Sequence, residues 1–155
     1  MDKGVKDVAY FKATGCDTDQ WCKTAKDAGM NYILFLTKHH DGFCLWDTDT
    51  TDFKVTKSPL GIDVLAKLRK SCDKYSIKLA LYFSEGDWNW IEKELPKDGM
   101  VRGNKQWRNS IWRSSNRPDL KKAQLKELCT KYGPIEFFWM DHTQVAIPQP
   151  LQGRT

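Results

Sequence analysis

The residues of this chain best suited to chemistry stand in three polar clusters, each directly after a short apolar run. His39, His40 and Asp41 follow residues 32–37 (YILFLT); Ser84, Glu85 and Asp87 follow residues 78–83 (KLALYF); Asp141 and His142 follow residues 135–140 (IEFFWM). Carboxylates and imidazoles are the groups that serve general acid–base and nucleophilic catalysis. Around them stand Trp46, Tyr82, Trp88, Trp90 and Trp139. Carboxyl groups beside aromatic surface are what a glycosidase needs to hold a sugar ring and break a glycosidic bond.

Each feature also has a plainer reading. Adjacent histidines at a strand end point to opposite faces, so one can meet a ligand while the other braces a loop. A metal at His39 and His40 would need Asp41, Asp141 or His142 to converge on it, and a structurally hydrogen-bonded pair is simpler. Asp141, next to Trp139, suits the stabilising of positive charge near an apolar wall, yet a strand-end aspartate also caps a following helix. Tryptophans stack on sugars, and they also fill cores. Residues 105–113 (KQWRNSIWR), with Arg117, interleave bases and aromatics as single-strand nucleic-acid binders do. As one isolated cluster they read better as an exposed loop, and no nucleic-acid partner is expected.

The elements that must position these clusters follow from periodicity. Over residues 18–30, Trp21, Ala25 and Ala28 form one helical stripe, with Asp17 as N-cap, Gln20 three residues on, and Gly29 as the stop. Residues 32–37 then read as a strand buried on both faces. The same order repeats: Val64, Leu65, Leu68 and Cys72 at helical spacing, then a strand over 78–83. A third round places Leu120, Ala123, Leu125 and Leu128 on a helix over 118–132 before a strand over 135–140. Helix-then-strand units with no hairpin dipeptide between them predict parallel strands joined by helical crossovers, the α/β class. In such folds the residues just past the carboxyl ends of the strands line the site, which is where all the polar clusters stand.

Composition bounds the rest. A chain of 155 residues, 40% hydrophobic, buries one sizeable core. No apolar run is long enough to span a membrane, and MDKGVKDVAYFK lacks the apolar centre of a secretion signal. The five cysteines show no metal-ligand spacing and read as free thiols, mostly core filler. A net charge of +5 is diluted over many residues of both signs.

At His39 the sequence resembles a known family. Thr37-Lys-His-His-Asp-Gly-Phe43, followed by Cys44-Leu-Trp46 and Thr51-Asp52, is similar to the core motif of the retaining α-L-fucosidases. The resemblance extends from Phe11 and Trp21 through Leu81-Tyr-Phe-Ser84 and Trp88 to Gln124-Leu-Lys-Glu-Leu128, Tyr132-Gly-Pro134 and Trp139-Met-Asp141. It implies an incomplete (β/α)8 barrel of about three βα units over residues 1–142, with 143–155 an irregular tail. It further implies Asp141 as nucleophile, His39, His40 and Trp46 lining the fucose pocket, and Tyr82 and Trp139 as its walls. The substrate would be a fucosylated glycan or oligosaccharide, cleaved with net retention and without metal or organic cofactor.

By the same resemblance a first strand should precede Met1, and further strands, with the acid/base glutamate, should follow Asp141. Glu85 and Asp87 are the carboxylates nearest in pattern, and neither is assigned that role. His142 stands where the family commonly has glycine, and Phe83 where it often has tyrosine. An inactive piece that at most binds sugar is the alternative, and open strand edges imply self-association. Full-length relatives are often exported or lysosomal; the compartment of this chain is left open.

Overall fold

The computed structural model describes residues 7–90 and 118–141. Helix α1 (Thr18–Asp27) starts where the sequence places its cap: the Asp17 carboxylate accepts from the amides of Asp19 and Gln20, both at 3.1 Å. It stops at Gly29, whose φ of +74° is left-handed backbone that glycine adopts freely. The buried stripe is Thr18, Cys22 and Ala25 rather than Trp21, Ala25 and Ala28, and Trp21 is exposed. The reason lies in helix α2 (Val64–Tyr75), against which α1 packs. Thr18 Oγ1 meets Ser71 Oγ at 2.8 Å and Cys22 Sγ lies 3.7 Å from Cys72 Sγ. Small side chains on both helices let them approach closely, and an indole at that seam would hold them apart.

Helix α2 is capped by Asp63, which accepts from the Ala66 amide at 2.9 Å, and buries Val64, Leu65, Leu68 and Cys72 as its spacing predicts. Helix α3 (Pro118–Lys131) departs from expectation. Its buried positions are Gln124, Glu127 and Leu128, while Ala123 is exposed. The packed face is partly polar because it hydrogen-bonds to a loop instead of meeting only apolar side chains.

Strands β1 (Tyr32–Lys38), β2 (Lys78–Ser84) and β3 (Phe138–Asp141) form one parallel sheet in the order β1-β2-β3. Leu36 pairs with Tyr82, Tyr82 with Trp139, and Ser84 with Asp141. The third strand begins three residues later than predicted, at Phe138. Alignment starts earlier, since the Glu136 amide donates to the Leu79 carbonyl at 2.8 Å and the Leu81 amide to the Phe137 carbonyl at 3.0 Å. A register irregularity between Leu36 and Lys38 sets Lys38 opposite Phe83 at the end of β1.

The helices cover one face of the sheet. Ile33, Phe35, Leu79, Leu81, Phe83, Phe138 and Met140 pack there with Cys22, Leu65, Leu68, Cys72 and Leu128. The opposite face carries Tyr32, Leu34, Leu36, Phe137 and Trp139, which are 36–59% exposed. Strands expected to be buried on both faces are therefore covered on one among the described residues. An unbroken apolar run reports that both faces are built for burial; it does not report what covers them. The tail over 143–155, His142 and the basic segment over 105–117 lie outside the described residues.

Candidate functional site

The carboxyl ends of the three strands, and the loops beyond β1 and β2, hold the polar clusters. The chain turns tightly after β1: the Gly42 amide donates to the His39 carbonyl at 3.1 Å and the Phe43 amide to Asp41 Oδ1 at 2.9 Å. Gly42 has φ of +88°, and a Cβ there would stand 2.4 Å from Asp87 Oδ1. Only glycine lets the β2 loop come this close. The two loops are joined further by the Trp88 amide, which donates to the His40 carbonyl at 2.7 Å. Beneath them the buried Lys38 ammonium lies 3.6 Å from Asp87 Oδ2 and 4.7 Å from the centre of the Phe83 ring. A buried cation needs such a partner, and here it fixes the loop that carries Trp88.

Side chains then line up across the strand ends. The His39 ring is stacked near the Tyr82 ring, with centres 5.8 Å apart and planes at 10°, and touches the His40 ring at 3.7 Å. His40 in turn rests against Trp88, with ring centres 3.9 Å apart. The Tyr82 hydroxyl donates to Asp141 Oδ2. Burial, and then this bond to the carboxylate, push the Tyr82 phenol well above its ordinary range, so it stays protonated and remains a donor. Trp139, next to Tyr82 in register, is 59% exposed on the same face of the sheet.

The structure thus brings His39, His40, Tyr82, Trp139 and Asp141 to one end of one sheet face. Trp46, expected to line the pocket, is corrected: it is wholly buried and its indole N–H donates to Glu127 Oε2 on α3 at 2.9 Å. A bulky apolar side chain with a single donor fits a dry site facing a buried carboxylate, and that site is behind the loop. Glu85 and Asp87 are buried and ion-paired, Glu85 with Lys121 at 3.0 Å and Asp87 with Lys38. Sequence reasoning gave no role to Lys38, Gln124 or Glu127, though all three lie in segments that carry the resemblance, and it did not foresee the Gly42–Asp87 contact. A signal existed for Gln124 and Glu127: two polar residues three apart, on the helix face that leads to Leu128.

Among the described residues no three His, Cys, Asp or Glu side chains are arranged to hold a metal ion. No helix among them is long and apolar enough to cross a membrane.

Comparison with known proteins agrees with this geometry. The sequence model of the α-L-fucosidase family matches residues 6–152. The chain is 32% identical over 141 residues to α-L-fucosidase 1 of Arabidopsis thaliana, covering 89% of this chain and 24% of that protein. The crystal structure of a putative α-L-fucosidase from Bacteroides ovatus superposes with a TM-score of 0.69 at 34% identity, over 95% of this chain and 23% of the other. An α-L-fucosidase from Bacteroides thetaiotaomicron, trapped as a covalent intermediate with 2-fluoro-fucosyl fluoride, gives 0.67 at 30% identity, over 86% of this chain and 29% of the other. The chain spans about a quarter of the length of these relatives, and its sheet is an arc of their (β/α)8 barrel. It belongs to the α-L-fucosidase family of glycoside hydrolases.

Proposed function

We propose that this chain carries the nucleophile side of an α-L-fucosidase site, acting on terminal α-L-fucose of glycans by double displacement with Asp141 as nucleophile. The observation that carries the reading is the bond from the Tyr82 hydroxyl to one oxygen of Asp141, at the strand ends beside His39 and Trp139. That bond orients the carboxylate at the strand ends, and in the proposed reaction Asp141 attacks the anomeric carbon. A carboxylic acid protonates the leaving oxygen, and water, deprotonated by the same group, then releases fucose with net retention. Within the described residues Glu85 and Asp87 are committed to lysines, so neither is assigned as that acid. His39, His40 and Trp139 supply hydrogen-bonding groups and an aromatic wall for the sugar.

The test is hydrolysis of an aryl α-L-fucoside by the full chain and by Asp141→Ala, with 2-fluoro-fucosyl fluoride as a covalent probe read by mass spectrometry. Turnover lost in the variant, with the label on Asp141, supports a working nucleophile. Labelling elsewhere overturns it.

A second reading, a sugar-binding piece without turnover, is favoured by the lysine-bound state of both carboxylates after β2. Binding of L-fucose with no hydrolysis in either protein would select it. The apolar sheet face, and the strand edges left open among the described residues, support self-association, with a second copy as the occupant. An exported setting is in keeping with relatives named plasma α-L-fucosidase in rat and tissue α-L-fucosidase in mouse.

A further inference from the structure

The loop that carries the histidines is held from behind by α3. After His39 and His40 the chain folds back on β1, the Leu45 amide donating to the Thr37 carbonyl at 2.9 Å. It then crosses α3, where Glu127 uses both oxygens: Oε2 accepts from Trp46 Nε1 and Oε1 from the Asp49 amide, each at 2.9 Å. Gln124, about one turn earlier, donates through Nε2 to Thr50 Oγ1 at 3.0 Å and reaches Cys44 Sγ at 3.9 Å. Lys131, one turn later, lies 2.9 Å from Asp49 and 3.6 Å from Glu127. Trp46 and Gln124 are fully buried and Glu127 nearly so.

From this geometry we infer that Glu127, aided by Gln124, is a positioning residue that sets where His39 and His40 stand relative to Asp141. The inference rests on the functional reading above for its purpose. Helix α3 leads directly into β3, which ends at Asp141, whereas the clamped loop begins at the histidines. The sheet alone fixes where the backbones of β1 and β3 end. The clamp additionally ties the loop beyond β1 to the helix preceding β3, which governs side-chain placement past the strand ends. A buried carboxylate taking two N–H donors is a charge-assisted and directional contact, and no neutral side chain reproduces both acceptances. Misplacement of catalytic groups by about 1 Å is enough to cost a reaction on the order of 100-fold.

Two variants of the full chain isolate the effect. Glu127→Gln keeps the volume and loses one of the two acceptors; Trp46→Phe keeps an aromatic ring and loses the donor together with part of the buried volume. The readouts are the imidazole resonances of His39 and His40 through a pH titration, and amide hydrogen exchange at Asp49, Leu68 and Leu81. Both variants are expected to displace the imidazole resonances and change their titration. In Glu127→Gln, exchange at Asp49 should rise about 10- to 100-fold, with Leu68 and Leu81 still protected. Imidazole resonances and titrations unchanged in both variants overturn the inference, whatever happens at Asp49. If Glu127→Gln loses protection at Leu68, the Trp46→Phe imidazoles decide the question. L-Fucose added to the unaltered chain reports separately on the functional reading: absence of binding sinks that reading and leaves the imidazole readout standing.

Discussion

Asp141 and Tyr82, joined by a hydrogen bond, form the smallest unit of the proposed site. A phenol that stays protonated donates to the carboxylate and orients it, so under the proposed function Tyr82→Phe should slow hydrolysis of an aryl α-L-fucoside about 10- to 100-fold, the worth of a hydrogen bond to a charged group. Steady-state kinetics check this, and an unchanged rate would remove Tyr82 from the machinery. Tyrosines also contribute to the loss of stability at alkaline pH. Tyr82 and Tyr132 are both raised above their ordinary value, by burial first and then by bonds to Asp141 and Asp63 respectively. The fold favours the neutral phenol, so this contribution is whole below a pH of about 10 and is lost as pH rises through the higher folded-state values. Melting temperature should therefore fall steeply above that pH, and Tyr132→Phe should flatten part of the fall. The placement of Asp141 and the histidines at strand ends was legible in sequence because they follow apolar runs. Trp46 was misread for a physical reason: a tryptophan beside a strand-end loop has the same sequence signature whether it faces a ligand or a buried carboxylate.

At the level of elements, caps and stops were the most legible features, since Asp17, Asp63 and Gly29 act through backbone geometry local to a few residues. The faces of α1 and α3 were less so, because the partner decides them: small residues on α2 turn α1, and the histidine loop makes α3 bury Gln124 and Glu127. The junction of the loops after β1 and β2 escaped the sequence because it depends on a contact between Gly42 and Asp87, far apart in the chain. Two glycine substitutions measure that junction. Gly42 and Gly61 both have positive φ, but an added Cβ meets Asp87 at 2.4 Å in the first and nothing nearer than 3.9 Å in the second. Gly61→Ala should cost about 1 kcal/mol of backbone strain, and Gly42→Ala about 2–4 kcal/mol because the β2 loop must also move. Denaturant unfolding of both variants tests the difference. Equal losses would mean that the loops are not interlocked at Gly42.

At the scale of the whole molecule, the described residues form a sheet with helices over one face and apolar side chains on the other. Apolar strands announced two buried faces, and the described residues cover one. In a closed barrel the uncovered face would be the interior, filled by layers of side chains from the other strands. Tyr32, Leu34, Leu36, Phe137 and Trp139 instead meet water, on strands of which β1 and β3 each have an unpaired edge among the described residues. A contiguous apolar face beside open edges favours association, with main-chain bonds to be gained at the edge and apolar area to be removed at the face. The isolated chain should therefore show a concentration-dependent mass in sedimentation velocity. Leu34→Glu and Leu36→Glu are the informative changes. Both side chains are already partly in water, so the folded chain should lose little stability. Each leucine buried between copies is worth about 1.5–3 kcal/mol, so either substitution should weaken association roughly 10- to 100-fold. A chain that sediments as a monomer at every concentration would show that this face is covered within the chain itself.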